Sequence, residues 1–236
     1  MRSFGKIPDL LIAFLAIIIL PALSALVAKN VSPFLSNIDP DRTFAWISLH
    51  HACQFLLTII LMIIWFKTSL SSWGFNLNEY GQSLRIFGWF CLIYLLPIFF
   101  INVLPYLQSG TSPSFPYEVN VRNITGVLGF QFLLSGSCEE PLFRGFVMTL
   151  LAQSWKKSYR LGKIEISSSG LWATFLFMFG HISTFSIAQQ LSSFGLGLYY
   201  AIVFHKTKSL LGPILSHGYS NGIIFIALYV LFFTMY

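Results

Sequence analysis

The chain has 236 residues, of which 56% are hydrophobic and only 9% are charged, and its formal net charge is +6. This composition leaves too little polar surface to cover a soluble globule, so the sequence predicts a polytopic membrane protein. The basic residues cluster in a few short loops and form no continuous basic face, which argues against binding to nucleic acid.

Seven apolar runs follow one another along the chain, and most approach the roughly 20 residues that a helix needs to cross the hydrocarbon core. They cover residues 10–28, 44–66, 86–104, 124–152, 171–187, 190–204 and 210–235. No internal repeat and no separate soluble domain is evident between them. We therefore expect an all-α transmembrane bundle of seven to eight spans, forming a single integral membrane domain over residues 1–236.

The distribution of basic residues favours one orientation in the membrane, because cytoplasmic loops carry an excess of Lys and Arg. With the N-terminus inside, the inner segments contain Arg2, Lys6, Lys67, Arg85, Lys156, Lys157, Arg160, Lys163, Lys206 and Lys208, and the outer segments contain Lys29, Arg42 and Arg122. The sequence therefore predicts a cytoplasmic N-terminus. The short loops are more typical of a protein in a bacterial plasma membrane.

Three charged residues, Glu139, Glu140 and Arg144, lie inside the fourth apolar run. An ionisable side chain in hydrocarbon costs on the order of 2.5–3.5 kcal/mol, so an intramembrane carboxylate indicates a functional site. Residues four apart share a helix face, so Glu140 can pair with Arg144, whereas Glu139 is turned about 100° away. Pro141 lacks a backbone donor, and we expect a kink at the acids. An ion pair that merely holds two helices together is the alternative interpretation.

Two histidines from other helices are expected at overlapping depths. His181 lies mid-helix in the fifth run, and His217 begins the last run with Asn221 on its face. At 1.5 Å per residue, Glu139, His181 and His217 lie roughly 20, 15 and 10 Å from the cytoplasmic ends of their helices. A lone histidine is more often a packing residue, but three helices that converge in this way predict a shared, cytoplasm-facing cavity.

These groups suit two kinds of hydrolytic chemistry. A glutamate beside a neutral imidazole can take a proton from water, while a second histidine and a carboxamide stabilise the oxyanion that forms when this water attacks an amide. One glutamate and two histidines, here Glu139, His181 and His217, also match a catalytic zinc site with water in the open position. The residues alone leave both alternatives open.

Other candidate residues fit such a site less well. His50 and His51 are expected at the external end of the second run, where an interfacial role is favoured over a catalytic one. Cys138, next to Glu139, is expected to be a packing residue rather than a nucleophile. The sequence contains no HExxH zinc motif, no GxGD aspartate pair and no GxSG serine frame.

Three short motifs occur in order within residues 124–235. EExxxR covers residues 139–144, FxxxH covers 177–181 and HxxxN covers 217–221. Together they resemble the CAAX protease and bacteriocin-processing (CPBP, or Abi) family of intramembrane proteases, which includes the type II CAAX prenyl endopeptidases. The resemblance implies an endopeptidase in which Glu139 and His181 activate water and His217 and Asn221 stabilise the oxyanion. Glu140, Arg144 and Phe177 would then shape the site.

The resemblance also bears on cofactors and partners. The family carries a metalloprotease name, yet we expect no tightly bound metal; a divalent ion such as zinc would take Glu139, His181 and His217. The implied substrate is a prenylated protein or a bacteriocin-like leader peptide, and the protein is expected to bind it while surrounded by membrane lipid. Residues 1–123 contain no matching motif and are expected to be scaffold or substrate gate, with residues 124–235 as the catalytic core.

Two other functions remain open for this chain. A membrane scaffold without proteolytic activity, which binds a sensor kinase or a secretion factor, is the main alternative. A proton or ion carrier that uses Glu139 and the histidines as a relay is a third interpretation, because chains of such groups can conduct protons. The first three runs offer few polar residues for a continuous path, which disfavours the carrier.

Overall fold

The computed structural model of the chain describes residues 4–181 and 187–235. Its helices are α1 Lys6–Val31, α2 Ala45–Ile60, α3 Tyr80–Ile98, α4 Leu104–Ser109, α5 Val121–Gly129, α6 Gly136–Glu140, α7 Thr149–Leu151, α8 Ser168–Gly180, α9 Ile187–Thr207 and α10 Leu211–Met235. Wider π-helical turns at Leu61–Trp65, Phe99–Val103, Phe130–Ser135 and Pro141–Met148 extend or join these helices, and 3-10 turns form at Ser32–Leu35 and Leu70–Trp73. The predicted all-α bundle is confirmed.

Four helical runs among the described residues are long and apolar enough to cross a membrane: Lys6–Leu35, Ala45–Ile64, Tyr80–Ser109 and Leu211–Met235. Helix α8 is apolar but shorter. Each of the seven predicted spans falls on a helical run, although the fifth, residues 171–187, continues past α8 into residues outside the described ranges. The fold is thus a helical membrane bundle, and the number of its spans stays a prediction.

A short hairpin forms between α7 and α8, where the sequence pattern predicts only a basic loop. Strand β1, Ser158–Leu161, pairs antiparallel with β2, Ile164–Ser167, in a register that places Leu161 opposite Ile164. Gly162 occupies the two-residue turn with φ +60°, a left-handed conformation that glycine adopts at little cost. Strands of only four residues carry too little alternation to be predicted from sequence.

The loop before α2 is fixed by a buried aspartate. Asp39 is 2% exposed, and its carboxylate accepts hydrogen bonds from the backbone amides of Thr43, Phe44 and Ala45. Burial raises the pKa of Asp39, but the amide hydrogen bonds from Ala45, Thr43 and Phe44 outweigh it and hold the pKa below its usual value. The Thr43 hydroxyl also contacts the side chain of Asn123 in α5. The starts of α2 and α5 are thereby held together.

Helix α10 packs against α6 with the two backbones in direct contact. A Cβ atom placed on Gly136 of α6 would overlap the carbonyl oxygen of Ile214, and one placed on Gly218 of α10 would overlap the carbonyl oxygen of Phe132. Small residues permit this close approach of membrane helices. Because His217 precedes Gly218, the contact brings this histidine next to the acids of α6.

Candidate active site

Glu139 lies where α2, α6, α8 and α10 meet. Its Oε1 is 2.8 Å from Nε2 of His51, and its Oε2 is 3.9 Å from Nε2 of His181 and 3.9 Å from Nε2 of His217. The Glu139 side chain is 13% exposed. The structure therefore brings together the three side chains that the sequence predicts to share a cavity, and it adds a third histidine.

The local path of the chain around Glu139 is irregular. Helix α6 is only five residues long and is flanked by the π-helical turns Phe130–Ser135 and Pro141–Met148. Pro141 has no amide hydrogen to donate, so a regular α-helical ladder cannot continue through it. The distortion predicted at the acids is present in this form, and π-helical turns of this kind are frequent at functional sites.

His51 is a residue for which the sequence-based prediction is wrong. It is buried rather than interfacial, and its ring packs edge-on against Phe130 at 4.9 Å. Nδ1 lies 2.9 Å from the carbonyl oxygen of Ile47, which can only accept, so Nδ1 is the donor there. The Nε2 contact to Glu139 then needs one further proton, carried by the imidazole or by the carboxyl group. Residue counts from the span ends assume parallel helices that begin in one plane, which does not hold here.

The neighbouring His50 has different surroundings, and its predicted interfacial position stays a prediction. Its ring stacks on that of Trp46 at 5.3 Å and makes no hydrogen bond to Glu139. Two adjacent histidines on α2 therefore differ in surroundings, since consecutive helix residues point about 100° apart. A histidine inside an apolar run is the signal by which His51 could have been found, as it was for His181.

The second carboxylate, Glu140, is held on two sides. Its Oε1 lies 3.0 Å from Nη1 of Arg144 and accepts a hydrogen bond from Nδ1 of His217 at 2.7 Å. Glu140 and Arg144 are both fully buried. Arg144 also donates to the carbonyl oxygen of Gly197 at 2.8 Å and lies 4.6 Å from the ring centroid of Phe177. The predicted ion pair is present. Through the Gly197 carbonyl and His217, it also contacts α9 and α10.

His181 caps the C-terminal end of α8, so the expectation of a mid-helix position is wrong. Its Nδ1 lies 2.8 Å from the carbonyl oxygen of Phe177, one turn earlier, which fixes Nδ1 as the donor and turns Nε2 toward Glu139. The Phe177 ring also meets the His217 ring edge-on at 5.8 Å. The phenylalanine of the FxxxH pattern thus contacts both of the predicted catalytic histidines.

A cavity of about 400 Å³ adjoins these histidines. It lies between α3, α9 and α10, and its lining includes Tyr94, Asn102, Phe177, His181, Gln189, Ser192, Tyr200, His217, Asn221 and Ile224. Along α10 it extends from His217 toward Ile224, away from the end that carries Lys208. If that basic end is cytoplasmic, the cavity extends away from the cytoplasm, whereas the sequence predicts a cavity that faces it. The side of the membrane itself stays a prediction.

Residues 122–223 match the family model described as type II CAAX prenyl endopeptidase Rce1-like. This segment is an Rce1-like domain. All three sequence motifs lie within it, and the predicted family is confirmed. No curated protein and no solved structure matches the chain. The family supports a membrane protease, whereas a bacteriocin-processing role stays a prediction.

The geometry around Glu139 bears on whether these residues could hold a metal ion. A tetrahedral zinc ion with bonds of about 2.0–2.1 Å needs ligand atoms roughly 3.3 Å apart. The Nε2 atoms of His181 and His217 are each 3.9 Å from Oε2 of Glu139, and the other oxygen of Glu139 is bonded to His51. Within the described ranges, no group of three or more His, Cys, Asp or Glu is arranged to hold a metal. These residues as placed do not fit zinc.

Proposed function

We propose that the chain is an intramembrane endopeptidase in which Glu139 and His181 activate the attacking water. One observation carries the proposal: Oε2 of Glu139 lies 3.9 Å from the Nε2 atoms of His181 and His217, while Oε1 is held by His51. Within the described residues, this Oε2 has no hydrogen-bond partner. A carboxylate oxygen with two imidazoles beside it suits a general base.

The first step is attack on the scissile carbonyl carbon. A water molecule near Oε2 of Glu139 gives one proton to the carboxylate and forms a bond from its oxygen to that carbon. Nε2 of His181 can accept the second hydrogen bond of the water, because its Nδ1 donates to the Phe177 carbonyl. The two residues thereby orient the lone pair of the water toward the carbon.

His217 and Asn221 stabilise the negative charge that develops on the carbonyl oxygen. Nδ1 of His217 donates to Glu140, so His217 can donate from Nε2 only as an imidazolium. The Glu140 carboxylate is the counter-charge that such an imidazolium needs away from water. Asn221, one turn further along α10, lines the same cavity and offers an amide donor. Glu139 then returns its proton to the leaving nitrogen as the C–N bond breaks.

The proposed substrate is a CAAX-type peptide, as the name of the matched family implies. The cavity beside the histidines is lined on the α3 side by Pro97, Ile98 and Ile101, and on the α9 side by Gln189 and Ser192. An apolar wall opposite a polar one suits a peptide that carries a lipid chain. A leader peptide without a lipid is the alternative substrate class from the sequence.

The test is turnover of a farnesylated CAAX-type peptide by the purified full chain, with cleavage read by mass spectrometry. Glu139→Gln should lose about 10²–10⁴-fold in rate, the range for removal of a general base. Glu165→Gln, on the exposed hairpin, is the matched control and should retain wild-type turnover. Equal turnover by wild type and Glu139→Gln would reject the mechanism, and it would favour the scaffold if both forms also support the same cellular phenotype.

A further inference from the structure

A second concave surface lies at the end of the bundle that carries the basic residues, away from the site around Glu139. It is a pocket of about 340 Å³ between the start of α1, the segment after α7 and the start of α8. We call it the basic pocket, and its lining includes Lys6, Trp155, Lys156, Lys157, Trp172 and Phe175. Neither the sequence motifs nor the proposed mechanism uses it.

The lysines of the basic pocket are not neutralised by neighbouring acids. In the described parts of the chain, no ion pair involves Lys6, Lys156 or Lys157, and no acidic side chain lines the pocket. Asp9, the acid closest to Lys6 in sequence, is fully buried and accepts the amide of Phe4. Three ammonium groups gathered without a counter-charge attract an anion.

Aromatic residues indicate the level of the basic pocket in the membrane. Nζ of Lys6 lies 5.5 Å from the ring centroid of Trp155, and the rings of Trp155 and Trp172 meet edge-on at 5.3 Å. Tryptophan beside lysine is typical of the level of the lipid headgroups. The anion expected here is therefore one that resides at the membrane interface.

An apolar groove of about 550 Å³ continues from the basic pocket along α1 and α8. It shares Trp172 and Phe175 with the pocket and is further lined by Leu10, Leu11, Phe14 and Phe179. Both helices begin at the basic end, so the groove runs inward, by roughly 10 Å from Trp172 to Phe179 at 1.5 Å per residue. The shape fits a lipid whose polar headgroup lies in the basic pocket and whose acyl chain points into the hydrocarbon core.

We propose that the basic pocket and the apolar groove together bind one anionic phospholipid, with its phosphate among the lysines and an acyl chain between α1 and α8. Charge complementarity selects an anionic headgroup, and the continuous groove selects a lipid over a free anion. Helix α8 carries Phe177 and is capped by His181, and the ring centroid of Phe14 in α1 lies 5.6 Å from that of Phe179. The bound lipid thus fills the space behind a helix of the candidate active site.

The headgroup is tested by native mass spectrometry of the detergent-purified full chain, titrated with phosphatidylglycerol or phosphatidylcholine of the same acyl chains. The wild type should retain one phosphatidylglycerol and less phosphatidylcholine. Removing two charges in Lys156→Gln/Lys157→Gln should weaken phosphatidylglycerol retention by about fivefold per lysine. Lys163→Gln, in the hairpin turn outside the pocket, is the control and should bind as the wild type does.

The groove is tested separately, because a soluble phosphate could use the lysines alone. Leu11→Trp fills the groove and should reduce retention, whereas Leu23→Trp, which is exposed outside the groove and lies about 120° around α1 from Leu11, should not. Glycerol 3-phosphate should fail to displace the lipid at equal concentration. Equal retention of the two lipids, displacement by glycerol 3-phosphate, or an equal effect of the lysine and control variants would overturn the proposal. None of these outcomes depends on peptide cleavage, so the lipid site and the proposed function fail separately.

Discussion

At the scale of single residues, Glu139 and Glu140 are adjacent yet occupy different chemical surroundings. Glu139 lies among three imidazoles, two of which line the cavity, while Glu140 is fully buried between Arg144 and His217. Their separation follows from the helix turn of about 100° per residue, which the sequence alone predicts. The partner of Glu139 on α2 does not follow from the sequence, because His51 is 88 residues away and belongs to no motif.

The first prediction concerns His51 as a positioning residue for Glu139. His51→Ala removes the hydrogen bond to Oε1 and frees the carboxylate to rotate, and a misplacement of about 1 Å can cost 10²-fold in rate. We expect kcat of the peptide assay to fall by about that factor with KM little changed. His51→Gln, which can still donate, should restore part of kcat.

His50→Phe is the matched control for His51, because it removes a histidine from the same helix while keeping an aromatic ring beside His51, and His50 makes no hydrogen bond to Glu139. Its kcat should equal that of the wild type. Equal losses in the two variants would mean that α2 needs its histidines for folding alone, and a wild-type kcat in His51→Ala would show that Glu139 is positioned without this contact.

The second prediction concerns Arg144. Arg144→Ala leaves Glu140 buried without its cation, a change that costs roughly 3–5 kcal/mol of folding free energy. Arg122→Ala provides the comparison, since the exposed pair of Arg122 with Asp41 is worth about 0–1 kcal/mol. Chemical unfolding in detergent should separate the two variants clearly. A stability loss at Arg144 as small as that at Arg122 would mean that water reaches Glu140.

At the scale of helices, the candidate active site depends on how closely α6 and α10 approach. Gly136 of α6 meets the backbone of Ile214, and Gly218 of α10 meets the backbone of Phe132 in the π-helical turn before α6. These contacts put His217 within 2.7 Å of Glu140. The apolar runs predict both helices, but side-chain patterns do not show which glycines make a helix contact. Of the two, only Gly218 falls within a motif, as the residue after His217.

The third prediction concerns Gly136. In Gly136→Ala the new methyl group would meet the backbone of Ile214, which no rotamer change can relieve, so we expect a loss of about 1–3 kcal/mol in stability. Peptide turnover should fall as well, because His217 moves away from the acids. Gly129→Ala is the control: nothing lies within 4 Å of its added Cβ, and alanine is the better helix former. Thermal unfolding of both variants is the measurement, and matching midpoints would refute the close contact.

At the scale of the whole molecule, the sequence predicts the helical bundle and the convergence of Glu139, His181 and His217. It does not predict that residues outside the matched domain complete the site, as His51 does. The reason is physical: apolar periodicity reports which residues face lipid, but the tilt and height of each helix depend on packing with its neighbours. For the same reason, residue counts along the helices predict the depths of the three side chains but not the direction in which the cavity extends from them.

The last prediction concerns the orientation of this cavity in the membrane. The basic end carries Lys156, Lys157 and Lys208, and the positive-inside rule places it in the cytoplasm. In a chain whose three native cysteines are replaced by alanine, Ser114→Cys should react with a membrane-impermeant maleimide in intact cells. Lys163→Cys, in the hairpin turn, should react only after lysis.

That labelling pattern would also decide from which side a substrate meets Glu139. The cavity extends from His217 toward Ile224, so a cytoplasmic hairpin places it toward the outer half of the bilayer. A cytoplasmic CAAX-type peptide would then have to reach the cavity from the side lined by α3, α9 and α10 rather than from the basic end. The reverse pattern, with the hairpin labelled in intact cells, would contradict the charge rule and turn the cavity toward the cytoplasm.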